Sequence, residues 1–319
     1  MGKKQARGRS VVSEIVKQRE SAIFLALLIV MAIIEIMAPN FLSGDNIYLV
    51  SRQIALVAIV AIGELFVILT GGIDLSVGAI MGLSGVASAG AMASGVNPVL
   101  AILFGMVIGM VIGVFNGWLV SYVFIPPFIV TLGAQEIARG TILIYTKGWP
   151  ITNIPKSILF IAQGDFLSIP VPVWIMVVVA VIAEIVLTKT SFGRRIYAIG
   201  GNETATFLSG VNVKKIKFFL YVIAAFTASL VGIILVARFN SAQADAGTGW
   251  EMNAIASAVI GGTSLAGGAG SVLGCLIGAC IIGVLANGLV LMRVSSYWQT
   301  AIIGTVIVLA AVLDHIRKK

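Results

Sequence analysis

Five ionisable residues, Glu64, Asp74, Glu136, Arg139 and Glu184, fall inside stretches that are otherwise almost wholly apolar. A charge in such surroundings is expensive, so each must be neutralised, reach water or serve a function. Glu136 and Arg139 are three apart on one expected helix and should neutralise each other. Asp74 directly precedes a helix expected to begin near Leu75 and Ser76, where its carboxylate either satisfies free backbone N–H groups or lines a path. Glu184 lies close to the end of its segment and can reach the interface. Glu64 has no evident partner and either faces a cavity or is buried against another helix. The amides of Asn116, Gln135, Asn287 and Gln299 either bind hydroxyl groups of a solute or bridge helices. Glu64, Asp74, Ser76, Asn116, Gln135 and Asn287 are the candidates for lining a path through the molecule.

Other chemistries find little to work with. The chain has no H-E-x-x-H, no G-x-S-x-G and no acidic cluster suited to magnesium. It also lacks G-x-x-x-x-G-K-[ST], so any step driven by ATP needs a nucleotide site on another chain. The one histidine, His315, lies in a basic tail. Cys275 and Cys280 are five apart in one apolar segment and read as small packing residues. No protein metal site is expected.

The elements that must position these residues follow from hydropathy. The 319 residues are 59% hydrophobic and 11% charged, against about 45–50% and about 25% in soluble domains. The expected fold is an all-α polytopic membrane protein. A span needs roughly 20 mainly apolar residues, and ten segments qualify or nearly so: 22–38, 47–69, 76–94, 98–122, 126–145, 171–187, 216–237, 250–265, 271–292 and 297–314. The segment at 250–265 is short and polar, but an even number of crossings must separate two regions on the same side.

Those regions are identified by charge. Most of the 21 Lys and Arg residues sit in the N-terminal tail (Lys3, Lys4, Arg7, Arg9, Lys17, Arg19), a central island (Lys189, Arg194, Arg195, Lys214, Lys215, Lys217) and the C-terminal tail (Arg317, Lys318, Lys319). Basic loops stay in the cytoplasm, so both termini and the island are expected inside. The net charge of +8 is divided among loops and does not indicate nucleic acid. The expected division is a basic tail at 1–21, one transmembrane domain at 22–315 with a cytoplasmic loop at 189–217, and a tail at 316–319. The first apolar stretch is a span rather than a cleavable signal. Arg238 and Arg293, and with them Arg52, belong to the outer side.

The centre of the island reads as a short surface helix. Asn202 can cap it, Glu203 suits its positive end and Gly210 can terminate it. Its Phe207 and Leu208, set among Thr204, Ala205, Thr206 and Ser209, either dock a soluble partner or pack on the protein's own loops. Two glycine-rich interruptions, ILTGGIDLSVG at 68–78 and VIGGTSLAGGAGSVLG at 259–274, break apolar runs with similar wording. Gly105, Gly109, Gly113 and Gly117 form a bare ridge suited to close helix packing, and Gly270, Gly274 and Gly278 repeat the spacing.

TGGIDLSVGAIMGLSG, GRRIYAIGGNETATFLSGVNVKKIK, FNSAQADAGTGWEMNAIASAVIGGTSLAGGAGSVLG and VSSYWQ, in this order, resemble the permease subunit of ribose-type monosaccharide ABC importers, from about Pro39 to the C-terminus. The resemblance implies a bacterial inner-membrane protein paired with a second permease copy. It also implies an extracytoplasmic sugar-binding protein, and a separate ATP-binding cassette protein that carries the ATP and magnesium. In such importers a short cytoplasmic helix seats in the ATPase, which corresponds to Asn202–Ser209 here. Arg52, Arg238 and Arg293 become candidate contacts for the binding protein. The rival is a stand-alone ion-coupled transporter in which Glu64 or Asp74 carries a proton.

Overall fold

The computed structural model describes the backbone of residues 3–317 and the side chains from Glu20 onward, apart from several in the last helix. The side chains of the basic N-terminal tail, His315 and Arg317, and the whole of Lys318 and Lys319, lie outside the described residues. The described residues are mainly α-helical, with a hairpin that pairs Asp165 with Pro170 and Phe166 with Ile169, and an isolated bridge between Ile151 and Ala242.

Each of the ten expected segments contains a helix. These are α1 (Lys3–Met37), α2 (Gly44–Ile68), α3 (Val77–Ala93), α4 (Pro98–Ser121), α5 (Pro127–Thr146), α7 (Val171–Lys189), α10 (Val213–Phe239), α11 (Trp250–Ile260), α12 (Val272–Leu291) and α13 (Ser296–Arg317). Among the described residues, six are long and apolar enough to cross a membrane: α1 from Glu20, α2, α4, α7, α10 and α12. The doubtful segment near 250–265 is the shortest of the ten, with only 11 helical residues. Helix α1 begins at Lys3 and continues without a break from the expected tail into the first apolar segment.

Local chemistry sets most helix starts. Asn97 accepts from the Val99 N–H at 2.9 Å, with Pro98 in the first turn. Asn212 accepts from Lys215 at 3.0 Å to open α10, and Ser271 from Gly274 at 3.0 Å to open α12. These side chains satisfy N–H groups that have no partner within the helix. Prolines begin α5 and α7, where a missing N–H costs nothing.

The core is built on α2 and α10, both buried along most of their length. The glycine ridge of α4 lies in the groove between α3 and α10. A methyl at Gly105 would stand 2.7 Å from the Ser88 Cβ, and one at Gly117 would stand 2.7 Å from the Phe218 carbonyl; Gly109 and Gly113 press on Ser229 and Ala225. The opposite face of α4 exposes Leu103, Val107, Val111 and Val114, the apolar surface that lipid requires. The second ridge closes α12 on α11, Gly274 meeting the Gly261 carbonyl and Gly278 that of Ser257. Helix α1 lies outside this core, Leu27 and Ile34 packing with Ile277, Ile281 and Val284.

The long loop at 147–170 holds a short helix, α6 (Lys156–Gln163), and the hairpin. The island holds two helices where one was expected: α8 (Ser191–Gly201), then α9 (Glu203–Leu208).

Candidate functional site

Four of the six path candidates form one connected chain at the break between α2 and α3. The Asp74 N–H donates to Glu64 Oε1 at 2.9 Å. Asp74 Oδ1 accepts from the Ser76 N–H at 2.9 Å and from the Ser76 hydroxyl at 2.5 Å. Asn116 Nδ2 on α4 then donates to Ser76 Oγ at 2.8 Å. All four residues are fully buried. Glu64 therefore has a partner that the sequence hid, a backbone N–H ten residues away. Glu64 Oε2, Asp74 Oδ2, Asn116 Oδ1 and the hydroxyl of buried Tyr221 remain without hydrogen bonds. Tyr221 carried no sequence signal beyond being a hydroxyl on an apolar helix.

The other two candidates lie elsewhere. Asn287 exchanges amide hydrogen bonds of 3.0 Å with Asn46, tying α12 to α2 in the bridging role. Gln135 is half-buried on α5 and makes no hydrogen bond to the Glu64 chain. The expected pairing of Glu136 with Arg139 does not form. Arg139 Nη1 instead donates to the Ala246 carbonyl at 2.7 Å, leaving Glu136 exposed. A carbonyl in an irregular segment lacks a helical N–H partner, and the long arginine reaches it across the helix gap.

The two glycine-rich breaks meet. The Gly268 N–H donates to the Leu69 carbonyl at 2.9 Å. Gly71, Gly262, Gly267 and Gly268 all have φ between 76° and 90°, a region that side chains with a Cβ rarely adopt. The end of α8 closes under both breaks, because Gly200 sits directly against the Leu69 carbonyl and the Gly268 backbone. The Tyr197 hydroxyl on α8 donates to the Gly270 carbonyl at 2.9 Å. Burial, helped by the charge of Glu184, pushes its pKa up to about 12, so it remains a donor at ordinary pH. Glu184 itself is exposed.

Helix α9 has the expected ends. Asn202 Oδ1 accepts from the Ala205 N–H at 2.9 Å, and Gly210 has φ 81° just past the last turn. Glu203 pairs with Lys217 Nζ at 2.5 Å, and Thr206 turns inward. Phe207 is 62% and Leu208 78% exposed, so the two largest apolar groups of this ordered helix are unused within the chain. Thr204, Ala205 and Ser209 are exposed around them.

Arg52 and Arg238 share one patch with the hairpin. The Arg52 guanidinium lies 5.0 Å from the Tyr48 ring centre, and the Tyr48 hydroxyl donates to Asp165. Arg238 is 5.6 Å from the Phe239 ring, and Gln163 donates to its carbonyl at 3.3 Å. Arg293 lies in the turn after α12, with φ 57°.

Residues 46–311 match the family described as branched-chain amino acid transport system, permease component. The chain belongs to this permease family. The permease is 49% identical over 298 residues to the ribose import permease protein of Bacillus subtilis (strain 168), covering 93% of this chain and 92% of that one. It is 44% identical over 300 residues to the ribose import permease protein of Escherichia coli (strain K12), covering 93% and 94%. With the D-allose transport system permease protein of the same strain it shares 39% over 298 residues, covering 93% and 91%. No solved structure matches it significantly. The six apolar helices and these relatives make it a multi-pass inner-membrane permease.

Proposed function

We propose that this permease is the membrane subunit of an ATP-binding cassette importer for ribose or a related monosaccharide. Its relatives named for ribose and allose import support the substrate class. In this reading the ten helices cross the membrane with both termini inside, in the single domain at 22–315 flanked by tails at 1–21 and 316–319. A second copy pairs with it, and an extracytoplasmic binding protein delivers sugar near Arg52, Arg238 and Arg293. ATP and magnesium belong to a separate cassette subunit, and this chain performs no chemistry of its own.

The observation that carries the reading is α9, a capped helix whose Phe207 and Leu208 face outward, and which this reading puts in the cytoplasm. Burying two such side chains against a partner supplies about 1.5–3 kcal/mol each. Residues Asn202–Ser209 are the docking element of the 189–217 loop. Movement of α9 passes through Asn202 to α8, and from Gly200 and Tyr197 to the two breaks. The breaks are held by turn-type and inter-break backbone bonds rather than by a continuous helical ladder, and interrupted helices of this kind can reset between two arrangements. Sugar would pass beside the interrupted helices when they do, near Glu64, Asp74, Ser76 and Asn116.

The test is reconstitution in proteoliposomes with the cassette and binding proteins. Leu208→Arg and Glu203→Lys should lower both uptake and coupled ATP hydrolysis while the permease stays folded. Normal stimulation of the ATPase by both variants refutes the docking role. Uptake by the permease alone refutes the importer reading.

A further inference from the structure

We propose that the permease carries a monosaccharide site of its own at its outer face. The site is the cavity of ≈ 650 Å³ between α5, the 148–152 turn and the segment before α11. The inference rests on the sugar-importer reading and adds to it a binding site that the path candidates do not include.

The volume lies within the range of about 300–1,000 Å³ typical of small-molecule sites. The lining combines a cation, Arg139, an anion, Asp245, an amide, Gln243, and a hydroxyl, Thr152, with apolar surface from Leu143 and Pro150. This set suits a neutral polyol. A carboxylate accepts from adjacent hydroxyls, a guanidinium donates to ring and hydroxyl oxygens, and the apolar surface covers the C–H face of the ring.

Two facts separate this cavity from an ordinary wet surface. First, part of its polar lining keeps hydrogen-bonding capacity: among the described residues, Thr152, Gln243 and the Asp245 carboxylate make no hydrogen bond within the chain, although Asp245 lies in the field of Arg139. Second, the frame around them is fixed. Ile151 and Ala242 exchange backbone hydrogen bonds of 2.9 Å in both directions, which joins the two walls. The Thr248 hydroxyl donates to the Asp245 carbonyl at 2.7 Å, and Arg139 is tethered to Ala246. A frame ordered before the ligand arrives reduces the entropy lost on binding.

The cavity's Arg139 also lies in the field of Glu251, a residue just behind the lining. Glu251, mostly buried and with Oε2 unpartnered, presses on Gly78, two residues from Ser76. A sugar released from a binding protein would meet this cavity before the interrupted helices.

The experiment uses the full-length permease alone in lipid nanodiscs, so it is independent of the cassette. A Thr152→Cys variant is labelled with a water-soluble methanethiosulfonate in the presence of D-ribose, D-xylose, D-allose or L-leucine at millimolar concentration. At least one sugar should slow labelling. Adding Asp245→Asn should raise the half-protecting concentration about tenfold, the effect of one lost charged hydrogen bond. Gln243→Ala, which removes no backbone contact, should weaken protection as well. Protection by none of the sugars, protection by L-leucine alone, or equal protection in Asp245→Asn overturns the proposal. Protection without import in the reconstituted assembly would instead sink the importer reading and leave the site standing.

Discussion

Gly200 and Gly201 are neighbours in the last turn of α8, but a methyl group at each would meet different surroundings. At Gly200 it would run into the Leu69 carbonyl and the Gly268 N–H and stand 2.9 Å from the Gly268 Cα; at Gly201 nothing lies within 4 Å. Replacing glycine by alanine in a helix gains up to about 1 kcal/mol. That gain is common to both sites and cancels when the two variants are compared. The obstructing atoms at Gly200 are backbone, so no rotamer change relieves the overlap and the breaks must shift. Overpacking of this kind costs about 1–3 kcal/mol. Gly200→Ala should therefore be less stable than Gly201→Ala by that amount, about 5- to 150-fold in the unfolding constant. Denaturant titration in detergent micelles, followed by tryptophan fluorescence, measures the difference. In reconstituted assemblies Gly200→Ala should also slow uptake, while Gly201→Ala behaves as the wild type. Equal stability of the two variants would refute the seating of α8 under the breaks.

Removing the cap of α9 by Asn202→Ala should cost about 1 kcal/mol, seen as faster hydrogen exchange of amides across Glu203–Leu208. Ser76→Ala leaves Asn116 Nδ2 without its acceptor and Asp74 short of a donor, and should lower thermal stability by about 1–3 kcal/mol; no change would mean that the Glu64 chain is not closed through Ser76. Tyr197→Phe removes the bond to Gly270, and the deficit against wild type should itself depend on pH. The folded-state pKa of Tyr197 is raised to about 12 from about 10 when unfolded. The stability from this hydroxyl should thus be complete below about pH 10 and fall as pH rises towards 12. A stability difference that declined on acidification would contradict the buried-donor role.

Much of this arrangement was legible because it depends on neighbours in sequence. Asn202 and Gly210 bracket α9 through bonds spanning three or four residues, and the glycines of α4 share one face by helical periodicity alone. Legibility ended where a partner came from elsewhere. Glu64 looked unpaired because its donor is a backbone N–H exposed only by the local break. Glu136 and Arg139 have the spacing of an ion pair, but an unmatched carbonyl on another segment draws the arginine away. Helix α8 was not expected, and it carries Gly193, Gly200 and Gly201, residues of low helix propensity. Gly193 packs on the carbonyls of Val186 and Leu187, and Gly200 on the breaks. Those glycines are small because other backbone comes close, a reason invisible within the helix itself.

The brevity of α11 also bears on how the protein is made. Eleven helical residues rise about 16 Å, roughly half of a hydrocarbon layer about 30 Å thick, and they include Glu251 and Asn253. Such a segment has little reason to leave the translocation channel sideways by itself. The bare ridge of α12 fits against its backbone at Gly261 and Ser257, so the two helices can partition as a preassembled hairpin, the later one rescuing the earlier. Ribosome-bound chains long enough for α11 to have left the ribosome, with α12 still inside it, should hold α11 in the channel, and emergence of α12 should release both together.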